Sequence, residues 1–146
     1  MSVERYNAER YSDPTAHAAL TAVTREERER GILPRVYVCS PYAGDTVRNA
    51  ERARGYARFA FSKGKHPMVP HIYYPQFMND ESDPVQRKMG LSFALEWLAQ
   101  CEEIWVFGEK HSAGMLLELA EAERLNITVR KFAVIRGEIK EKENLK

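Results

Sequence analysis

The chain has 146 residues, with 22 Lys and Arg against 21 Asp and Glu and a net charge of +1. That is the size of one domain. So near-neutral a balance gives no polyanion-binding surface, which argues against polymeric nucleic acid as a partner. No apolar run approaches the ~20 residues of a membrane span, so no membrane partner is expected. Met1 to Arg10 are polar and lack the apolar region of a signal peptide. The expected setting is cytoplasmic, with Cys39 and Cys101 reduced and buried rather than bridged.

Asp13-Pro14-Thr15 reads as a helix start, Asp13 capping and Pro14 in the first turn. The helix is expected to run through Ala18, Leu20, Ala22 and Val23 into the charged stretch from Arg25 to Arg30. Gly31 ends it and Pro34 bars continuation. Residues 1–34 form an N-terminal helical extension, packing on the core domain or on a second subunit. Val36-Tyr37-Val38-Cys39 is a first strand, followed by the turn-rich Ser40-Pro41-Tyr42-Ala43-Gly44-Asp45. Asp45 or Thr46 caps a helix whose Ala50, Ala53, Tyr56, Ala57, Ala60 and Phe61 recur at helical spacing. Gly64 ends it. His66 to Pro70 reads as a second strand, and its prolines place it at a sheet edge.

Residues 70–83 read as a long loop holding His71, Tyr73, Tyr74 and Phe77. Loops of such length are often functional. Its aromatic residues either pack over the core or line a ligand. Pro84 opens a helix with a stripe of Met89, Leu91, Ala94, Leu95, Trp97, Leu98 and Cys101. Ile104 to Phe107 is a third strand, Met115 to Leu125 a helix stopped by Asn126, and Thr128 to Val134 a fourth strand. The charged tail, residues 136–146, is expected to fray or make a last helical turn.

Strands alternating with helices imply a parallel sheet covered on both faces. The expected fold is a Rossmann-like (flavodoxin-like) three-layer α/β sandwich with a mostly parallel sheet of four to five strands, occupying residues 35–135. The loops after the first and third strands then meet at one edge, where ligands of such sheets bind.

The chemistry concentrates in Trp105 to Glu118. An apolar strand stops at Gly108, a polar loop follows, and Ser112 caps the next helix. Free N–H groups at such a helix start suit an anion. Gly114 and Glu118, four apart, share one helix face. A carboxylate there can act as nucleophile or base on an anomeric carbon. The plainer reading is a solvated helix glutamate. Ser40, Tyr42 and Gly44 form a second cluster. Tyr42 can contact a base or sugar, while Asp45 reads as a helix cap and Asn49 as a local capping partner or a ligand contact. The four histidines (His17, His66, His71, His111) match no zinc spacing, and neither cysteine belongs to a CxxC pair, so no metal is expected. GxxxxGK[ST], GxGxxG and Gly-x-Ser-x-Gly patterns are absent, and no cofactor is expected.

Three segments carry a resemblance: Val36 to Tyr42, Pro70 to Phe77, and Cys101 to Gly108 with Ser112 to Met115. They resemble a domain family of unknown function (DUF4406/DUF7768-like) common in bacterial and phage genomes. That family in turn resembles, more distantly, nucleoside 2-deoxyribosyltransferases and 2′-deoxynucleoside 5′-phosphate N-hydrolases. The resemblance implies a nucleotide or nucleoside substrate. It implies Glu118 as the nucleophile at C1′, Ser112 and Gly114 as phosphate contacts, and Tyr42 as a ligand contact. Ser40, Gly44 and His71 complete the expected binding set. The relatives complete their sites across subunits, so a homo-oligomer, dimer or larger, is also implied. One departure stands out. The enzymes carry an aspartate on the helix before the third strand, and Ala94 stands at about that place. Asp80, Asp83 or Glu96 are the alternative acids. Two functions follow: an N-glycosidase, or a non-catalytic module that binds a nucleotide.

Overall fold

The computed structural model describes residues 14–143. Asp13, the expected first cap, lies outside them. The elements are α1 (Pro14–Ala22), α2 (Arg25–Arg30), β1 (Arg35–Cys39), α3 (Thr46–Ser62), β2 (His66–Met68), α4 (Pro70–Tyr73), α5 (Pro84–Leu98), β3 (Glu103–Phe107), α6 (Ala113–Arg124), β4 (Thr128–Ile135) and β5 (Glu138–Glu141).

One five-stranded sheet runs in the order β2-β1-β3-β4-β5. β2, β1, β3 and β4 are mutually parallel, and β5 returns antiparallel on β4. The fold is thus the mostly parallel, flavodoxin-like α/β arrangement. From β1 the chain crosses outward to β2 on one side, and β3 lies on its other side. A crevice opens where the strand order reverses, at the carboxyl ends of β1 and β3.

β1 and β3 are buried on both faces, as central parallel strands are. Their side chains alternate between two cores. Val36, Val38, Trp105 and Phe107 pack with Ala53, Tyr56 and Ala60 of α3. Tyr37, Cys39, Ile104 and Val106 pack with Leu98 of α5 and with Met115 and Ala122 of α6. These helices on both faces make the three layers.

The N-terminal helix is interrupted. Thr24 caps a second helix: its Oγ1 accepts from Glu27 N at 3.1 Å, and Glu27 Oε2 accepts from Thr24 N at 3.0 Å. This reciprocal capping box ends α1 at Ala22. α1 lies on α3, with Ala19 and Val23 buried and Arg58 donating to Thr15 Oγ1 at 3.3 Å.

Two other expectations change. Residues 70–83 are not one open loop. Pro70 occupies the first turn of α4, and Tyr74–Gln76 follow as a 3-10 turn. Tyr73, Tyr74 and Phe77 meet edge to face, and Tyr73 and Tyr74 lie tilted against Trp97 of α5, whose Nε1 donates to Tyr74 Oη at 2.9 Å. The tail neither frays nor turns helical over residues 138–141. Arg136 and Gly137 both take positive φ, 51° and 80°, the backbone of a two-residue hairpin turn, and β5 pairs back on β4. Arg130 fastens it with a forked pair to Glu141, Nε–Oε1 at 2.7 Å and Nη2–Oε2 at 2.6 Å.

Candidate functional site

A cleft of about 760 Å³ opens at the carboxyl ends of β1 and β3. All seven residues expected at a site line it: Ser40, Tyr42 and Gly44 after β1, His71 on α4, and Ser112, Gly114 and Glu118 on the third wall.

Each is placed by a local device. Asp45 caps α3 by accepting from Arg48 N at 3.2 Å. One turn later the buried Asn49 reaches back, its Nδ2 donating to the carbonyls of Tyr42 at 3.0 Å and Ala43 at 3.3 Å. Asn49 is therefore the pin of the β1 loop rather than a ligand contact. Beyond β3, Gly108 adopts φ +89°, a turn that a side chain resists. The chain then reaches Ser112, whose Oγ accepts from Met115 N at 3.3 Å and caps α6. At Gly114 an added Cβ would meet only Ser112 Oγ, at 3.9 Å. The bare backbone of the first turn of α6 therefore faces open space in the cleft.

Glu118 is no solvated helix glutamate. It is 1% exposed, on the floor of the cleft. His71 Nε2 lies 3.3 Å from its Oε1. That approach misses hydrogen-bond geometry. His71 Nε2 and Glu118 Oε2 are left without a hydrogen-bond partner among the described residues, and so are Ser40 Oγ and Tyr37 Oη. Leaving a buried polar group unmatched costs about 1–3 kcal/mol. Tyr42 and His71 stack, ring centroids 5.5 Å apart and planes 7° apart, as a shelf above this floor.

Tyr37 and Cys39 went unrecognised in the sequence. They stand two apart on β1, on the face that α6 covers. Burial, then the charge of Glu118, pushes the Tyr37 phenol and the Cys39 thiol well above their ordinary pKa values. Both keep their protons and lie ready as donors beneath the carboxylate. The available signal was a hydroxyl inside an otherwise apolar four-residue strand.

Another wall comes from α5 and the segment before it: Asp80, Glu81, Pro84, Arg87, Lys88, Gly90, Leu91 and Ala94. Ala94 is buried and brings no acid. Of the alternatives, Asp83 is spent as the cap of α5, accepting from Val85 N at 2.9 Å and Gln86 N at 3.3 Å. Glu96 is exposed and outside the lining. Asp80 does line the cleft. It and Glu81 act on Tyr42, whose phenol is pushed up to about 12 by burial first and then by these two charges. Among the described residues no group of three or more His, Cys, Asp or Glu is placed to hold a metal ion, and no helix is long and apolar enough to cross a membrane. Both cysteines are free.

A family model for a domain of unknown function, DUF7768, matches residues 34–132. No curated protein matches the chain. Among solved structures, a 2-deoxyribosyltransferase from the psychrotolerant bacterium Bacillus psychrosaccharolyticus is similar, with a TM-score of 0.51 and 17% identity over 73% of this chain and 77% of that one. At that identity the likeness speaks for the fold.

Proposed function

The chain belongs to the DUF7768 family of domains of unknown function, and from its cleft we propose that it is an N-glycosidase or deoxyribosyltransferase-like enzyme acting on a nucleoside or nucleotide. The observation that carries this reading is Glu118, a carboxylate buried at the cleft floor with one oxygen unmatched, one helical turn beyond the capped start of α6. The similar 2-deoxyribosyltransferase fold supports the same substrate class.

In this reading the phosphate, or another anion of the ligand, meets the N–H groups of Ala113 and Gly114 at the helix start. The sugar then sits over Glu118. Its carboxylate attacks C1′ as the bond to the base breaks, and the base leaves with the bonding electrons and takes a proton from water. Water or a second base then attacks C1′ and releases Glu118. Tyr37 and Cys39 steady the carboxylate from below, and the Tyr42–His71 shelf carries the ring of the ligand. We assign this work to residues 35–135, with α1 and α2 as an extension. A homo-oligomer in the cytoplasm is part of the proposal.

The test is a panel of nucleosides and deoxynucleoside monophosphates, assayed for free base. Release that disappears in Glu118→Gln is the expected result. Absence of free base with every member of the panel overturns the enzyme reading.

Ala94 favours a second reading, a non-catalytic nucleotide-binding module. Help from a general acid is typically worth ~10²–10⁴-fold, and α5 supplies no acid. Thermal shift separates the two: stabilisation without turnover supports binding alone.

A further inference from the structure

Asp80 and Glu81 are wall residues without an assigned task. Neither makes a hydrogen bond or ion pair with another described residue. The segment that carries them is nonetheless fixed on both sides. Asn79 N donates to Gln86 Oε1 at 2.7 Å, Ser82 Oγ donates to Asn79 Oδ1 at 3.0 Å, and Asp83 caps α5. The fold thus holds two unpaired carboxylates at the cleft in a braced turn, Asp80 half-buried and Glu81 exposed.

Acidic residues alone make no site. This cleft has the independent mark of one: Ser40 and Glu118 line it, are 2% and 1% exposed, and their Oγ and Oε2 have no hydrogen-bond partner among the described residues. Contacts link its parts. The start of α6 at Ser112 and Gly114 comes first. Glu118 follows one turn later, about 6 Å along the helix from Gly114. Glu118 touches His71, and His71 stacks on Tyr42. The phenol of Tyr42 feels the charges of Asp80 and Glu81. An anion site, a buried acid, an aromatic shelf and an acceptor pair therefore line one cleft.

We propose that Asp80, with Glu81 beside it, reads the outer edge of the base and selects bases that present amino donors there. The assignment rests on the nucleotide reading above, in which the phosphate occupies the α6 end and C1′ lies over Glu118. The base then lies on the Tyr42–His71 shelf with its far edge towards Asp80. An ionised carboxylate only accepts hydrogen bonds. Its complements are the exocyclic amine of adenine or cytosine and the adjacent N1–H and N2–H of guanine. Thymine and uracil present one N–H flanked by two carbonyl oxygens, which the carboxylate repels. A site built to pair with a donor rejects an analogue that lacks it, because a buried polar group is left unmatched.

The experiment is calorimetric titration of the full chain, in the Glu118→Gln background to stop turnover, with the deoxynucleoside 5′-monophosphates of adenine, cytosine, guanine and thymine. The amino-bearing ligands should bind at least about tenfold more tightly than the thymine one, the effect of one hydrogen bond to a charged acceptor. Adding Asp80→Asn, which turns one acceptor into a donor, should erase that preference and leave the thymine ligand bound as well or better. Glu81→Gln should do the same to a smaller degree. All four ligands binding alike, or a ranking untouched by Asp80→Asn, overturns the assignment and leaves the nucleotide reading standing. Failure of the chain, with or without Glu118→Gln, to bind any of the four overturns both. Asp80 has no hydrogen bond to lose within the fold, so its substitution does not confound the result through unfolding.

Discussion

The two long walls of the cleft are built by different means. The α6 wall is fixed: a capped helix start, a glycine in the first turn, and Glu118 sunk to 1% exposure above the Tyr37 and Cys39 donors. The α5 wall has small or apolar side chains at depth, Gly90, Leu91 and Ala94, and its charges sit higher, on Asp80, Glu81, Arg87 and Lys88. A low-dielectric floor strengthens every interaction of a buried carboxylate and makes an unmatched one costly. An exposed, braced rim costs the fold little and can vary with the ligand. The wall that carries the reaction in the proposed function is thus the one that strains stability, and the wall that discriminates is the one that does not.

The largest effect should come from breaking the first wall. Glu118→Gln is expected to cut base release by ~10⁴-fold or more, the scale on which removal of a covalent nucleophile acts. The same change should leave the fold as stable or more so, because it replaces a buried carboxyl group that has one oxygen unmatched by a neutral amide. Base release and thermal melts on one preparation check both halves. A large loss of stability would show that the charge of Glu118 holds the wall together.

The second wall can be given what it lacks. Ala94→Asp places a carboxyl at depth on α5, facing the cleft. If the missing acid limits the reaction, base release should rise by about 10²-fold, the lower end of general acid help. Burying that group should lower stability by about 1–3 kcal/mol. Unchanged release with a folded variant would show that the proton already comes from elsewhere on the walls, and would return attention to His71 and Asp80.

Alkaline titration probes the layer beneath both walls. Cys101, after α5, is raised by burial from its usual 9.0 to about 12, and Cys39 and Tyr37 are raised well above their usual values. Each group is neutral when protonated, and folding favours the protonated form. The unfolded chain therefore loses its protons first, at the lower pKa. The stability these groups contribute is whole below about pH 9 and declines above it, by up to about 1.4 kcal/mol per pH unit for each group in its window. Urea midpoints measured from pH 8 to 11 should fall. Cys101→Ala should flatten the part that begins near pH 9, and Tyr37→Phe the part that begins near pH 10.

How much of this was legible follows from the range of the forces involved. The α6 wall could be read because its parts are local: strand, Gly108, Ser112, Gly114 and Glu118 lie within one helix start, and their spacing carries the geometry. The sheet could be read from alternating apolar runs. Other local signals were present but outweighed. Thr24-Arg25-Glu26-Glu27 is a capping-box pattern, obscured by the continuous helical run around it. Pro70 counted as the end of a strand, though proline suits the first turn of a helix equally well. The Arg136-Gly137 turn lacks the Asn-Gly of common hairpins, and its strand is held by Arg130 to Glu141, eleven residues apart. The neighbours of Glu118 were beyond local reading. His71, Tyr37 and Cys39 come to it from other elements, and only the packed fold brings them within a few ångströms.

The smallest expected effect tests the anion end of the fixed wall. Ser112→Ala removes the cap of α6 and should cost about 0.5–2 kcal/mol of stability. The hydroxyl accepts from Met115 N, so its loss frees an N–H rather than blocking one. Anion affinity at the helix start rests on the remaining backbone N–H groups and on the helix dipole, worth roughly 0.3–1 kcal/mol in exposed settings. A nucleoside 5′-monophosphate should therefore lose only a few-fold in affinity, and the matching nucleoside, without phosphate, almost nothing. That difference is the informative quantity. Equal losses for both ligands would mean that Ser112 shapes the wall without meeting the phosphate, and the anion site would then have to be sought at Arg87 and Lys88, on the α5 wall.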